Sequence, residues 1–150
     1  IVMKKFKIVL TAIVMLYAST AFATEPVKIS KIVKAAFESD FSKASQVIWK
    51  RSEEFYFASF ILNDVNVDAA YNESGELLGT SRFITAAQMP LSISLAIAEK
   101  YEGYQVDKSV VELTFEGSTR YYVTVSGKTQ VLRLKCYING DIEVERKAKK

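Results

Sequence analysis

The chain has 150 residues, 20 basic and 17 acidic, with one cysteine and no histidine. That length is enough for one domain with a real core, and charged residues at 25% argue against a disordered chain. The missing histidine excludes a histidine base, a Ser-His or Cys-His nucleophile and a histidine-bound metal, while the single Cys136 excludes an intramolecular disulfide and a cysteine-rich zinc site.

Taken in chain order, Lys4, Lys5 and Lys7 form a basic stretch ahead of the uncharged apolar run 8–17. Ala21 and Ala23 then place small residues at both specificity positions of a cleavage site. The pattern predicts a secretory signal over 1–23, starting at Met3, and a mature chain from Thr24 that is periplasmic or secreted. The apolar run is too short for a spanning helix, so no stable membrane anchor is expected after cleavage. Cleavage removes three lysines and no acid, which leaves 17 basic against 17 acidic residues. Arg146, Lys147, Lys149 and Lys150 gather at the end as a basic tail, expected to be disordered and solvated.

Ser30 is an N-cap candidate for a helix whose apolar face is Ile32, Val33, Ala36 and Phe37. Strand signals follow at 46–50, 55–62, 65–71 and 76–83, with Asn72-Glu73-Ser74-Gly75 as a turn. Pro90 suits the first turn of a second helix over 91–101, with Leu91, Leu95 and Ala98 in register and Gly103 as its stop. Four further runs come at 109–116, 120–126, 131–138 and 141–145. Asn139-Gly140 is the strongest hairpin signal among them. The halves align with conserved in–out parity: Phe37 with Tyr101, Val47 and Trp49 with Val111 and Leu113, and Tyr56, Ala58 and Phe60 with Tyr121, Val123 and Val125. The expected fold class is α+β, a tandem repeat of one helix plus a four-stranded antiparallel meander. The repeats cover about 30–86 and 87–146 of a single domain, 24–150. One helix with such a meander also describes cystatin-like folds.

The run Phe37-x3-Phe41-Ser42-x-Ala44-x2-Val47-x-Trp49, then Phe55-Tyr56 and Ala69-Ala70-Tyr71-x3-Gly75-Glu76-Leu77-Leu78, resembles the secreted PepSY-like, β-lactamase-inhibitor-like proteins of Bacteroidetes-type bacteria. Met89-Pro90, Tyr101-x-Gly103-Tyr104 and Tyr137-x-Asn139-Gly140 continue the likeness over nearly all of the mature chain. Ser42 stands where the family pattern often has proline. The resemblance implies an exported helix-plus-sheet protein, and binding or inhibition only by analogy.

Catalytic machinery is not legible. Asp64 and Asp68, four apart in a strand region, would lie about 13 Å apart, and no Gly-rich phosphate loop is present. The chain is therefore expected not to be an enzyme, and no catalytic residue, metal ligand or cofactor is expected. Trp49, Tyr56, Phe60, Tyr71 and Tyr121 share the helix-facing parity and are expected in the core, as is Cys136. On the other face, Phe55, Phe57 and Ile61 are large apolar residues where water is expected. The same parity gives a polar second half: Glu112 and Thr114, then Tyr122, Arg133, Lys135 and Tyr137, with Glu143 and Glu145 beside the basic strand for cross-strand pairs. Phe55, Phe57, Ile61, Tyr122, Arg133, Lys135 and Tyr137 are the candidate partner-binding residues. Packing between the halves, or a homodimer, is the competing use of the apolar part. The function expected is a non-catalytic protein-binding module on an open sheet face, inhibition of an envelope or secreted enzyme being one form of it. The alternative is a periplasmic small-molecule or lipid carrier. The protein partner is unidentified, and nucleic acid is not expected for an exported chain.

Overall fold

The structure, a computed structural model, describes residues 27–150. The expected export signal, with its cleavage residues Ala21 and Ala23, lies outside the described residues. The chain divides into two compact units after Ser81.

In the first unit, helix α1 (Lys31–Asp40) starts where Ser30 stops extended backbone. Ser30 Oγ accepts from the Val33 N–H at 3.2 Å, which satisfies one orphan amide of the first turn. Val33 and Phe37, one turn apart, are the buried face, whereas Ile32 is 61% exposed. The expected four-residue stripe is thus narrower than the spacing predicts. Three strands follow as antiparallel neighbours: β1 (Ser45–Ser52), β2 (Phe55–Leu62) and β3 (Val65–Asn72). β4 (Leu77–Thr85) comes after β3. Register sets Tyr56 opposite Tyr71 and Ala58 opposite Ala69, so these side chains share the helix face. The Phe37 ring meets Phe60 at 5.0 Å and Trp49 at 5.1 Å, both edge-on, the favoured arrangement for paired rings. Tyr71, fully buried, satisfies its hydroxyl by donating to Asp40 Oδ2 at 2.8 Å. Burial, then that bond, pushes its phenol far above the ordinary value. Tyr56, Phe60 and Tyr71 are therefore core residues, as expected, while Trp49 is half-buried and packs against them.

In the second unit, Pro90 is the N-cap of helix α2 (Leu91–Lys100). Ile93 and Ile97 are buried, while Leu91 is 71% and Leu95 61% exposed. The helix therefore presents the opposite face from the one predicted. Its sequence LSISLAIA offers an apolar pair at i, i+4 on either side, so periodicity alone does not choose. Strands β5 (Gln105–Val106), β6 (Ser109–Phe115), β7 (Ser118–Ser126), β8 (Gln130–Tyr137) and β9 (Ile142–Lys149) follow. β6 to β9 are consecutive antiparallel neighbours, and the two-residue β5 pairs with β7 beyond the end of β6. The core packs α2 against Tyr121, Val123, Val125, Leu132, Leu134 and Cys136.

This overturns the expected tandem repeat of one helix plus a four-stranded meander. The described residues are mostly antiparallel sheet, with nine strands and two α-helices. The second unit has five strands, one of which pairs with a strand that does not follow it. The helix ends do not match as expected either. Tyr101 is the C-cap of α2, and the C-cap of α1 is Phe41, four residues after Phe37.

A parity slip lies behind the rest. In β6, Val111 stands opposite Tyr122 and Glu112 opposite Tyr121, so Glu112 takes the helix-side register and Val111 and Leu113 the other. A one-residue slip exchanges every side chain between faces. Val111, Leu113, Phe115 and Tyr122 are all buried, and so are Phe55 and Phe57. Burial on both faces blurs the alternation that a half-wet strand would show. The tail is ordered and not disordered as expected: 142–149 is a strand on β8, with Lys149 opposite Gln130, although its residues after Ile142 stay exposed to solvent.

Candidate partner-binding surface

The seven residues predicted to meet a partner fall in different environments. Phe55 is 7%, Phe57 3% and Tyr122 3% exposed. These are core side chains of the isolated chain, which corrects the expectation of a wet apolar face. Ile61, Arg133, Lys135 and Tyr137 are half-buried. Phe55, Phe57 and Ile61 belong to the first unit, and the other four belong to the second.

Those four form one ladder. Antiparallel register puts Tyr122 opposite Lys135, Arg120 opposite Tyr137 and Lys135 opposite Glu143. Arg133 Nε lies 3.0 Å from Glu145 Oε2, and Lys135 Nζ lies 3.1 Å from Glu143 Oε2. Basic β8 thus pairs with acidic β9, as expected of these two runs. Each cation also covers a ring: the Arg133 guanidinium is 5.3 Å from the Tyr122 centroid and the Lys135 ammonium 5.0 Å from that of Tyr137. The Tyr122 hydroxyl has no hydrogen-bond partner among the described residues. Its phenol is raised chiefly by burial and further by Glu145, against the lowering effect of Lys135, Arg120 and Arg133. Lys135 is raised by its bond to Tyr137 and then by Glu143. Glu143 is lowered by its bonds to Lys135 and Tyr137, so the pair favours the charged form of each partner.

The ladder ends in a groove of about 650 Å³ between two hairpin turns, with Thr119 on one wall and Tyr137, Ile138 and Glu143 on the other. The first turn needs left-handed backbone at Glu116 and Gly117, and the second at Gly140. Asn139 Oδ1 accepts from the Asp141 N–H at 3.1 Å, and Ser92 Oγ of α2 donates to the Ile138 carbonyl at 2.6 Å. The helix thereby anchors the hairpin while the Ile138 side chain stays 64% exposed. Sequence reasoning missed Ile138, since parity continued it inward from Leu134 and Cys136. The adjacent Asn139-Gly140 was the available signal, because a tight turn ends the alternation.

A second groove, of about 450 Å³, lies in the same unit beside α2, lined by Met89, Ile97, Tyr101, Tyr104 and Val106. Gln130 Nε2 donates to the Tyr104 hydroxyl. Among the described residues no group of three or more His, Cys, Asp or Glu side chains stands together to hold a metal. No helix there is long and apolar enough to cross a membrane.

No protein-family model and no curated protein matches the sequence. Solved structures do. A BLIP-like protein from Bacteroides fragilis superposes with a TM-score of 0.70 at 20% identity, over 83% of this chain and 89% of that one. The fold is BLIP-like. A DUF2874 family protein from Bacteroides uniformis shares it, with a TM-score of 0.68 at 20% identity over 80% of this chain and 88% of its own. So does a predicted periplasmic protein from Bacteroides eggerthii, with a TM-score of 0.68 at 17% identity over 82% and 90%. The likeness read from the aromatic and turn motifs is met at the level of the BLIP-like fold. Identity this low speaks for fold alone.

Proposed function

We propose that the chain is an exported, non-catalytic protein-binding module of the periplasm or cell exterior. It engages its partner through the outer ladder and hairpin groove of the second unit. The observation that carries this reading is the cluster of Lys135, Tyr137 and Glu143 beside the exposed Ile138. An aromatic ring, an ion pair and an exposed apolar side chain between two hairpin turns are the ingredients of an interface hot spot. The absence of histidine in the sequence supports binding without catalysis. The BLIP-like name of the Bacteroides fragilis structure favours an envelope or secreted enzyme as partner, held as an inhibitor holds its target. Immobilised protein should capture one defined partner from envelope extract. Tyr137→Ala and Ile138→Asp should each abolish that capture while leaving the circular dichroism spectrum unchanged. Undiminished capture by both variants places the interface elsewhere.

The aromatic groove beside α2 favours a second reading, a carrier of a small apolar molecule. Native mass spectrometry of protein from its own host should then show a bound mass that Tyr101→Ala reduces. An apo mass in every preparation rejects the carrier.

A further inference from the structure

The last strand of the second unit has one side paired and the other open. β9 pairs with β8 from Ile142, opposite Cys136, to Lys149, opposite Gln130, and no further strand lies beyond it among the described residues. Seven of its eight residues are exposed. The ladder skips Glu145 between Val144 and Arg146, so Glu145 is a bulge and regular extended backbone resumes at Arg146.

Charge along this strand is sorted by the pairing. Its acids are already engaged, Glu143 by Lys135 and Glu145 by Arg133. Arg146, Lys147 and Lys149, followed by Lys150, have no acidic partner among the described residues. Lys147 and Lys149 share one face of the strand, and Arg146 points to the other. An open edge is a template of unpaired N–H and C=O groups, and lysines on it repel any strand that is itself basic. A second copy would bring a second net-positive edge. The same charges attract an acidic strand, because opposite charges directly across a ladder stabilise it.

We propose that the open edge of β9 over 146–149 takes up an extended acidic peptide as an added strand. Backbone hydrogen bonds supply the docking and the cation pattern supplies the choice of partner. This edge is distinct from the ladder-and-groove reading above, and its variants leave Tyr137 and Ile138 untouched.

The probe is a fluorescein-labelled eight-residue peptide alternating Glu and Val, followed by anisotropy against the mature chain. It should bind, whereas a Lys-Val peptide of the same length should not. Lys147→Glu with Lys149→Glu, both at exposed positions, should weaken binding roughly tenfold or more. A Glu-Val peptide N-methylated at alternate residues should also lose binding, because it cannot complete the ladder. Amide exchange over 146–149 should slow in the complex. Equal binding of the N-methylated peptide, or no slowing of exchange, would reduce the attraction to charge alone and overturn the proposal. A dimer that blocks the peptide, or displacement by phosphatidylglycerol vesicles without any peptide-dependent protection, would also overturn it.

Discussion

Ser59 and Asp68 stand opposite each other on β2 and β3, and the Ser59 hydroxyl donates to the carboxylate of Asp68, which is only 6% exposed. Removing one partner of a buried pair leaves the other with its full desolvation penalty. Ser59→Ala should therefore cost about 1–3 kcal/mol in urea unfolding, while Ser59→Thr, which keeps the hydroxyl, should cost less. Cys136 is fully buried, and burial pushes its thiol from 9.0 up to about 11. A folded value above the unfolded one stabilises the protein fully below the unfolded pKa, and that contribution fades as pH rises toward 11. At pH 8 the thiol should resist a disulfide reagent until denaturant is added; rapid labelling of the native protein would contradict its place in the core. Of the two sites only Cys136 could be located from the sequence. Cys136 follows Leu132 and Leu134 by twos, which reads as core, but the Ser59–Asp68 pair depends on a register that no local signal states.

At the scale of elements, the turn after β3 and the helix α1 are fitted to one another. Gly75 has φ +80°, and a Cβ there would lie 3.0 Å from Ile32 Cγ2 and 3.2 Å from the Ile32 carbonyl oxygen. Gly117 has φ +73° and open space around it. An alanine at Gly117 meets only the left-handed backbone penalty, about 1 kcal/mol. Gly75→Ala adds a clash with helix backbone and should cost roughly twice as much or more. Thermal melts of the two variants compare them directly, and equal losses would mean that the helix yields freely. The face of α2 is tested in the same way. Ile93→Ala should cost about 2–5 kcal/mol, and Leu95→Ala about 0.5 kcal/mol or less. The reverse order would restore the face that the Leu91, Leu95 and Ala98 spacing predicts. Helix limits, caps and hairpin turns were legible because each rests on a few adjacent residues. The buried face of an almost wholly apolar helix was not, because its neighbours choose it.

For the whole molecule, charge and partner choice depend on which residues remain after export. The proposed export leaves a neutral chain from Thr24, so intact mass of protein recovered from the host envelope should correspond to residues 24–150. Recovery of the uncleaved chain would contradict the export reading. The ladder of Arg133, Lys135, Tyr137, Glu143 and Glu145 was legible as a basic strand beside an acidic one, since strands joined by Asn-Gly must be neighbours.

Phe55, Phe57 and Tyr122 show where that legibility ended. Strict alternation identifies which residues share a face, but it does not say whether water reaches that face. β2 and β6 carry apolar residues on both sides, so the face expected to be open is buried at Phe55, Phe57 and Tyr122, and the slip in β6 moved Glu112 across the sheet. The amino-acid sequence by itself determined both α-helices and most strand segments, the aromatic core of the first unit, the turn glycines and the absence of histidine chemistry, all of which depend on residue type and short-range spacing. Only the tertiary structure decided the strand count and pairing of the second unit, the exposure of Ile138 and the ordered basic edge. Each of those is a matter of long-range register, in which a shift of one residue reverses what faces water.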